Sequence, residues 1–315
     1  MVRFAYVFPG QGAQYVGMGK SIYGNFPQTR EIFNEADKIL DFNLSRLCFE
    51  GPQKELSETK NCQVAVLTVS IATLRIFEEL YGPIIGKPYF TAGLSLGEYS
   101  ALVASGVLKF ADTVMLVRKR GIFMESASSK NPGGMLAIIG LSVETVNEIC
   151  KDTNTEIANL NSPGQVVISG KISDIENAGL LAKQGGAKKV SLLEVSGPFH
   201  SSLMNEASNL LKSYIEGVNF SCARIPLISN LSAEATIDKE IIKDNLIKQV
   251  NHATRWEESV RYMIKNNVSR FIEIGPGNVL KGLIRRITSQ AVVYNIEDAG
   301  SLERFRDNIK EICLN

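Results

Sequence analysis

The chain has 315 residues, 44% of them hydrophobic and 21% charged, which suits a globular protein with one large α/β domain or a large and a smaller one. Lys and Arg (34) balance Asp and Glu (33), so the charge gives no reason to expect a nucleic-acid partner. The five cysteines, Cys48, Cys62, Cys150, Cys222 and Cys313, are scattered, odd in number and free of metal-ligand spacing; they read as small buried thiols in a reducing cytoplasm, and no metal is expected.

Residues 4–8 form an apolar run that reads as a strand; Pro9-Gly10 ends it too soon for a signal peptide. The turn that follows, Pro9-Gly10-Gln11-Gly12-Ala13-Gln14, is Gly-rich and lies where α/β proteins present backbone to a ligand; it is neither a P-loop nor G-x-G-x-x-G. Helices are expected over 28–40 and 64–80. The longest apolar stretch, 64–74, is broken by Thr68, Ser70 and Thr73 and is too short to span a bilayer, so no membrane role follows. Next comes Gly93-Leu94-Ser95-Leu96-Gly97, between an extended run at 88–92 and a helix-like run at 98–105. A serine at the apex of a strand–turn–helix, flanked by glycines, has the form of a nucleophile elbow, whose alternative is a plain Gly/Ser connection. A further helix is expected over 111–126. Asn131-Pro132-Gly133-Gly134 then breaks the pattern, and strands at 135–139, 156–160, 165–169 and 189–195 alternate with helices at 143–150 and 172–184. That order, βαββαβ, is ferredoxin-like, and residues 131–197 read as a small subdomain inserted into a larger one built from 1–130 and 198–315. Strands at 225–228 and 270–274 rejoin the main sheet, and Gly275-Pro276-Gly277 turns into a helix at 279–287.

A serine hydroxyl needs a base, and the chain has only His200 and His252. His200 lies in Ser196-Gly197-Pro198-Phe199-His200-Ser201-Ser202, an ordered turn where the inserted segment returns the chain; His252 lies in a polar stretch without such punctuation. No carboxylate between Ser95 and His200 is marked by its context as the orienting group, and a backbone carbonyl can serve instead. Arg120 shares a helical stripe with Met124 and sits beside Gly121. On such a stripe an Arg is either part of a solvated Arg118-Lys119-Arg120 face or is buried to bind an anion such as a carboxylate.

Taken together the motifs resemble malonyl-CoA:acyl carrier protein transacylases, members of the acyltransferase family. They are Phe8-Pro9-Gly10-Gln11-Gly12-Ala13-Gln14, the stretch from Gly93 to Leu102, Arg120-Gly121-Ile122-Phe123-Met124, the stretch from Asn159 to Gly170, Gly197-Pro198-Phe199-His200-Ser201 and the stretch from Glu273 to Leu280. They cover nearly the whole chain in the family's order. The resemblance implies an α/β-hydrolase-like large subdomain with a ferredoxin-like insert, acting as a cytoplasmic monomer without a cofactor. It implies a ping-pong reaction in which Ser95 takes malonyl from malonyl-CoA and passes it to the phosphopantetheine thiol of holo acyl carrier protein, with His200 as base and acid. The oxyanion donors it implies are the backbone N–H groups of Gln11 and Leu96. Arg120 would hold the malonyl carboxylate, Met124, Phe199 and Asn159 would line the substrate site, and the region of Gln249 would help to orient the histidine. Phe199 goes with malonyl-selective members. Two residues depart from the family pattern: Leu94 stands where His is usual, and Val64 where Pro is common. The resemblance fits fatty-acid synthesis or a trans-acting acyltransferase of a polyketide assembly line. A serine thioesterase could own the same elbow but would have no need of Arg120.

Overall fold

The computed structural model describes residues 2–309; Cys313 lies outside them. The first apolar run is a strand, β1 (Arg3–Phe8), and the next is β2 (Phe90–Gly93). β3 (Gly133–Ile139), β4 (Glu156–Ser162), β5 (Gln165–Lys171) and β6 (Lys189–Leu192) follow, then β7 (Leu227–Ile228), β8 (Ala235–Thr236), β9 (Val268–Ile274) and β10 (Val292–Ile296). Six of them form one sheet in the order β10-β9-β1-β2-β7-β8, parallel except for the β7–β8 pair. The other four form a separate antiparallel sheet, β4-β5-β3-β6. With helices Val143–Thr153 and Ile172–Gln184 between its strands, that sheet has the ferredoxin-like order expected from the sequence.

The large sheet is covered by helices, and Thr59–Ile85 is the longest. It is buried over nearly its whole length, so it carries no amphipathic stripe. It runs beyond both ends of the expected 64–80. Pro83 sits in its last turn; there the missing N–H and the ring break only the end of the hydrogen-bond ladder. The helix expected at 279–287 is found as Val279–Ile287, and the one at 111–126 as Phe110–Lys130. The last small-sheet strand stops at Leu192, short of the expected 195. Sequence reading missed helices Asn205–Ile215, Lys239–Gln249 and Trp256–Lys265 and the strand β10. Among the described residues no helix is long and apolar enough to cross a membrane.

In a parallel sheet, ligands gather beyond the carboxyl ends of the strands. Here Phe8 is level with Gly93 across the β1–β2 pair, so the Pro9–Gln14 turn and the Ser95 turn leave the sheet side by side. Ser229 and Asn230 leave β7 at the same edge, next to β2. The small sheet is fastened to this edge through β4. Leu160 N–H donates to the Thr254 carbonyl (2.9 Å), Thr254 N–H to the Ala158 carbonyl (2.9 Å), and the Asn159 amide to the Thr254 hydroxyl.

Candidate active site

The Ser95 turn is as tight as its glycines require. A Cβ on Gly93 would lie 2.0 Å from the Gly97 carbonyl carbon, and one on Gly97 would lie 2.1 Å from the Phe8 carbonyl oxygen. Gly97 therefore lets the elbow press against the end of β1. Ser95 itself has φ 50°, in the left-handed region, a conformation an L-residue holds only when its surroundings enforce it. The enforcing group is Asn230. Its amide Oδ1 accepts from Ser95 N–H (2.6 Å) and its Nδ2 donates to the Gly93 carbonyl (2.6 Å). One side chain thus clamps both legs of the turn, on either side of the residue between them. Helix Gly97–Ala104 then starts directly after Leu96, which is fully buried.

His200 also has a positive φ, 60°, and is buried. Its Nε2 lies 2.9 Å from Ser95 Oγ and its Nδ1 2.8 Å from the Gln249 backbone carbonyl. A carbonyl only accepts, so Nδ1 carries the proton and Nε2 is the free lone pair facing the serine hydroxyl. The orienting group that no carboxylate in the sequence supplied is this main-chain oxygen. Burial, reinforced by the Arg120 cation, pulls the His200 pKa down to about 4, although hydrogen bonds to backbone oppose the shift. The imidazole is consequently neutral, the form a base needs. The His252 side chain lies exposed on the surface, where its ring meets the Lys248 carbonyl rather than the serine.

Arg120 is 1% exposed, so of the two possibilities for the Arg118-Lys119-Arg120 run the buried one holds. Nη1 donates to Gln63 Oε1 (2.7 Å), and Nη2 donates to Gln249 Oε1 (3.1 Å) and to Ser95 Oγ (3.0 Å). The guanidinium carbon stands 5.3 Å from the centre of the Tyr99 ring. Burial works against its charge, yet a guanidinium stays protonated in such settings. The serine oxygen therefore accepts from a cation while it donates to a neutral imidazole.

Around this centre lies a cleft of about 200 Å³ between the two sheets, lined mostly by apolar side chains. Gln11, Met124, Asn159, Phe199 and Leu94 all border it, as do Val279 and Leu283 from the helix after β9. Gln11 is tied back by its side chain, which donates to Thr59 Oγ1 (3.3 Å), itself 2.7 Å from Ser196 Oγ. Among the described residues the backbone N–H groups of Gln11 and Leu96 have no protein acceptor. The Met124 sulfur accepts from Gln63 Nε2 (3.5 Å). Every site residue expected from the sequence except Gln249 and Leu96 reaches the cleft wall or the Ser95 oxygen directly. Gln249 lies one layer behind, and Leu96 contributes backbone from beneath the turn. Three participants escaped sequence reasoning: Asn230, Gln63 and Glu98. Glu98 and Gln63 lie within or beside strings already singled out, and Asn230 stands two residues past the end of an expected strand, so its place at the sheet's ligand edge was the available signal.

Fold and site together define an α/β protein with a serine–histidine pair at a strand-to-helix turn and a buried arginine on the serine. Comparison with known proteins identifies the family. The family model for the acyl transferase domain matches residues 5–313, and the chain belongs to that family. It is 45% identical over 316 aligned positions to the malonyl CoA-acyl carrier protein transacylase of Bacillus subtilis (strain 168), covering 99% of this chain and 98% of that protein. A crystal structure of an acyl-carrier-protein-S-malonyltransferase from Bartonella henselae superposes with a TM-score of 0.94 at 41% identity, covering 98% of this chain and 99% of the other. A malonyl-transacylase in complex with a type II PKS acyl carrier protein superposes equally well (TM-score 0.94, 38% identity, 97% and 99% covered).

Proposed function

We propose that this chain moves a malonyl group from malonyl-CoA to the phosphopantetheine thiol of holo acyl carrier protein, through a malonyl ester on Ser95 and without a further cofactor. The observation that carries the reading is the single oxygen of Ser95 held between His200 Nε2 at 2.9 Å and Arg120 Nη2 at 3.0 Å. His200 takes the hydroxyl proton as Oγ attacks the thioester carbon, and returns it to the departing thiol of CoA. The oxyanion that forms meets the two unengaged N–H groups of Gln11 and Leu96, the latter at a helix start. A carboxylate two carbons beyond the acyl carbon falls within reach of Arg120, where a buried guanidinium favours a short diacid over a neutral acyl chain. The second half-reaction reverses these steps with the carrier thiol as nucleophile.

Residues 1–130 with 198–315 then serve as the catalytic subdomain and 131–197 as the ferredoxin-like small subdomain, which supplies one wall of the cleft. Arg285 and Arg286 are exposed on the helix after β9, whose Val279 and Leu283 face the cleft, and Arg286 bonds Gln165 on the opposite wall. A basic rim there suits an acidic carrier. The strong overall similarity to a transacylase of B. subtilis supports a role in fatty-acid synthesis in the cytoplasm. The equal superposition on the transacylase bound to a PKS carrier supports a polyketide carrier as the alternative acceptor.

Intact-protein mass spectrometry tests the proposal. Malonyl-CoA should add one malonyl group to the wild type and none to Ser95→Ala, and holo carrier protein should then remove it intact. An adduct lost to water at the same rate with and without carrier would instead make the chain a thioesterase.

A further inference from the structure

Glu98 is a buried carboxyl group bonded directly to the groups that hold Ser95 and Arg120, and the steps above leave it without a task. It is 1% exposed, and a single oxygen, Oε2, accepts both from Gln249 Nε2 (2.7 Å) and from Asn230 backbone N–H (3.1 Å). Both neighbours are in turn committed to the reacting groups. Gln249 Nε2 also donates to the Ser95 carbonyl (3.0 Å), and its Oε1 accepts from Arg120 Nη2. Asn230 clamps the turn on either side of Leu94, holding the Ser95 N–H and the Gly93 carbonyl.

An amide can face a neighbour with either end, and only its partners decide which. Here Glu98 and the Ser95 carbonyl are both acceptors, so they draw Gln249 Nε2 to themselves and leave Oε1 for the arginine. Without the acceptor at position 98, half of that constraint is gone, and the amide can turn its donor end toward a cation. We propose that Glu98 is a positioning residue that fixes the orientation of the Gln249 amide and thereby aims Arg120 at the substrate carboxylate, making it a determinant of acyl-group selectivity. Burial pushes the Glu98 carboxyl up to about 7, so its function rests on reach and acceptor geometry rather than on a full negative charge. The inference rests on the malonyl-transfer reading of the site.

Two substitutions separate reach from charge. Glu98→Gln removes the charge but can set its amide oxygen where Oε2 stands, retaining both hydrogen bonds. Glu98→Asp retains the charge but withdraws the acceptor by one methylene. The readout is the ratio of kcat/KM for malonyl-CoA to that for acetyl-CoA, which a general loss of folded enzyme does not move. Glu98→Asp should lower the ratio by about 10- to 100-fold, the scale of a misaimed substrate-positioning group, whereas Glu98→Gln should rescue it to within about threefold. In an Arg120→Ala background Glu98→Asp should lower it no further, since both act through one interaction. Loss in Glu98→Gln with retention in Glu98→Asp, equal loss in both, or no change in either overturns the proposal. A wild-type chain with no preference for malonyl over acetyl would overturn the functional reading itself, and this inference with it.

Discussion

Replacing Asn230 by alanine should cost this protein both stability and speed, because that side chain holds both legs of the elbow. Its side chain makes two 2.6 Å hydrogen bonds, one to the Ser95 N–H and one to the Gly93 carbonyl. The carbonyl is buried, and leaving it unpaired costs about 2–3 kcal/mol. The Ser95 N–H is only partly buried, so water can reach it and its loss costs about 1 kcal/mol. Together these give about 3–4 kcal/mol, or a fall in Tm of about 5 °C for a chain of this length. The left-handed φ of Ser95 would no longer be enforced, and relaxation of the turn should carry Oγ away from His200. A shift of about 1 Å is enough to slow acylation about 100-fold. Differential scanning calorimetry gives the first quantity, and rapid-quench measurement of malonyl-enzyme formation the second. A variant whose Tm stays within about 1 °C of wild type and whose acylation rate is unchanged would refute the reasoning that the clamp enforces the turn.

The other expectations concern charge and shape. With His200 held at about 4 by burial and Arg120, kcat/KM for malonyl-CoA should stay flat from neutral pH down to about pH 5 and fall below about pH 4, as the base becomes protonated. A stopped-flow pH profile with its break near the ordinary histidine value would contradict this. The same shift has a stability consequence: the unfolded chain binds the His200 proton more tightly than the folded one, so stability contributed by the neutral buried ring is complete above about pH 6.5 and is lost toward about pH 4. Phe199 is buried at the cleft wall, so Phe199→Ser should make room for an α-methyl branch and raise the methylmalonyl-to-malonyl ratio of kcat/KM by about tenfold; an unchanged ratio removes Phe199 from the specificity argument. Charge reversal at Arg285 and Arg286 should raise KM for the carrier protein at low salt, and added salt should shrink the difference. Equal carrier KM values for variant and wild type would exclude that rim.

Local signals carried a large part of this protein. The glycines at 93 and 97 announced a turn that only residues without Cβ can make, and the serine between them had a strand before it and a helix after it. Period and punctuation were sufficient for the βαββαβ run, because each small-sheet element is short, bounded by turn residues and paired antiparallel with strands close by in sequence. The resemblance of the motifs to one family added roles that no spacing could assign.

Long-range contact decided the rest. Ser95 and His200 are separated by 105 residues, and Ser95 and Asn230 by 135; no local pattern reports which distant polar groups converge. Whether Arg120 was buried or solvated turned on Gln63, Gln249 and Tyr99, which come from three other stretches of chain. The group that orients the histidine is a backbone carbonyl, and every residue carries one, so the sequence could not single it out. Helices such as Lys239–Gln249, buried on one narrow face, left only a weak apolar stripe in the sequence. By itself the sequence determined the elbow, the βαββαβ run and the residue types that the chemistry needs. The tertiary structure alone decided which donor meets which acceptor, because a hydrogen bond depends on distance in space and on the direction each group is made to face.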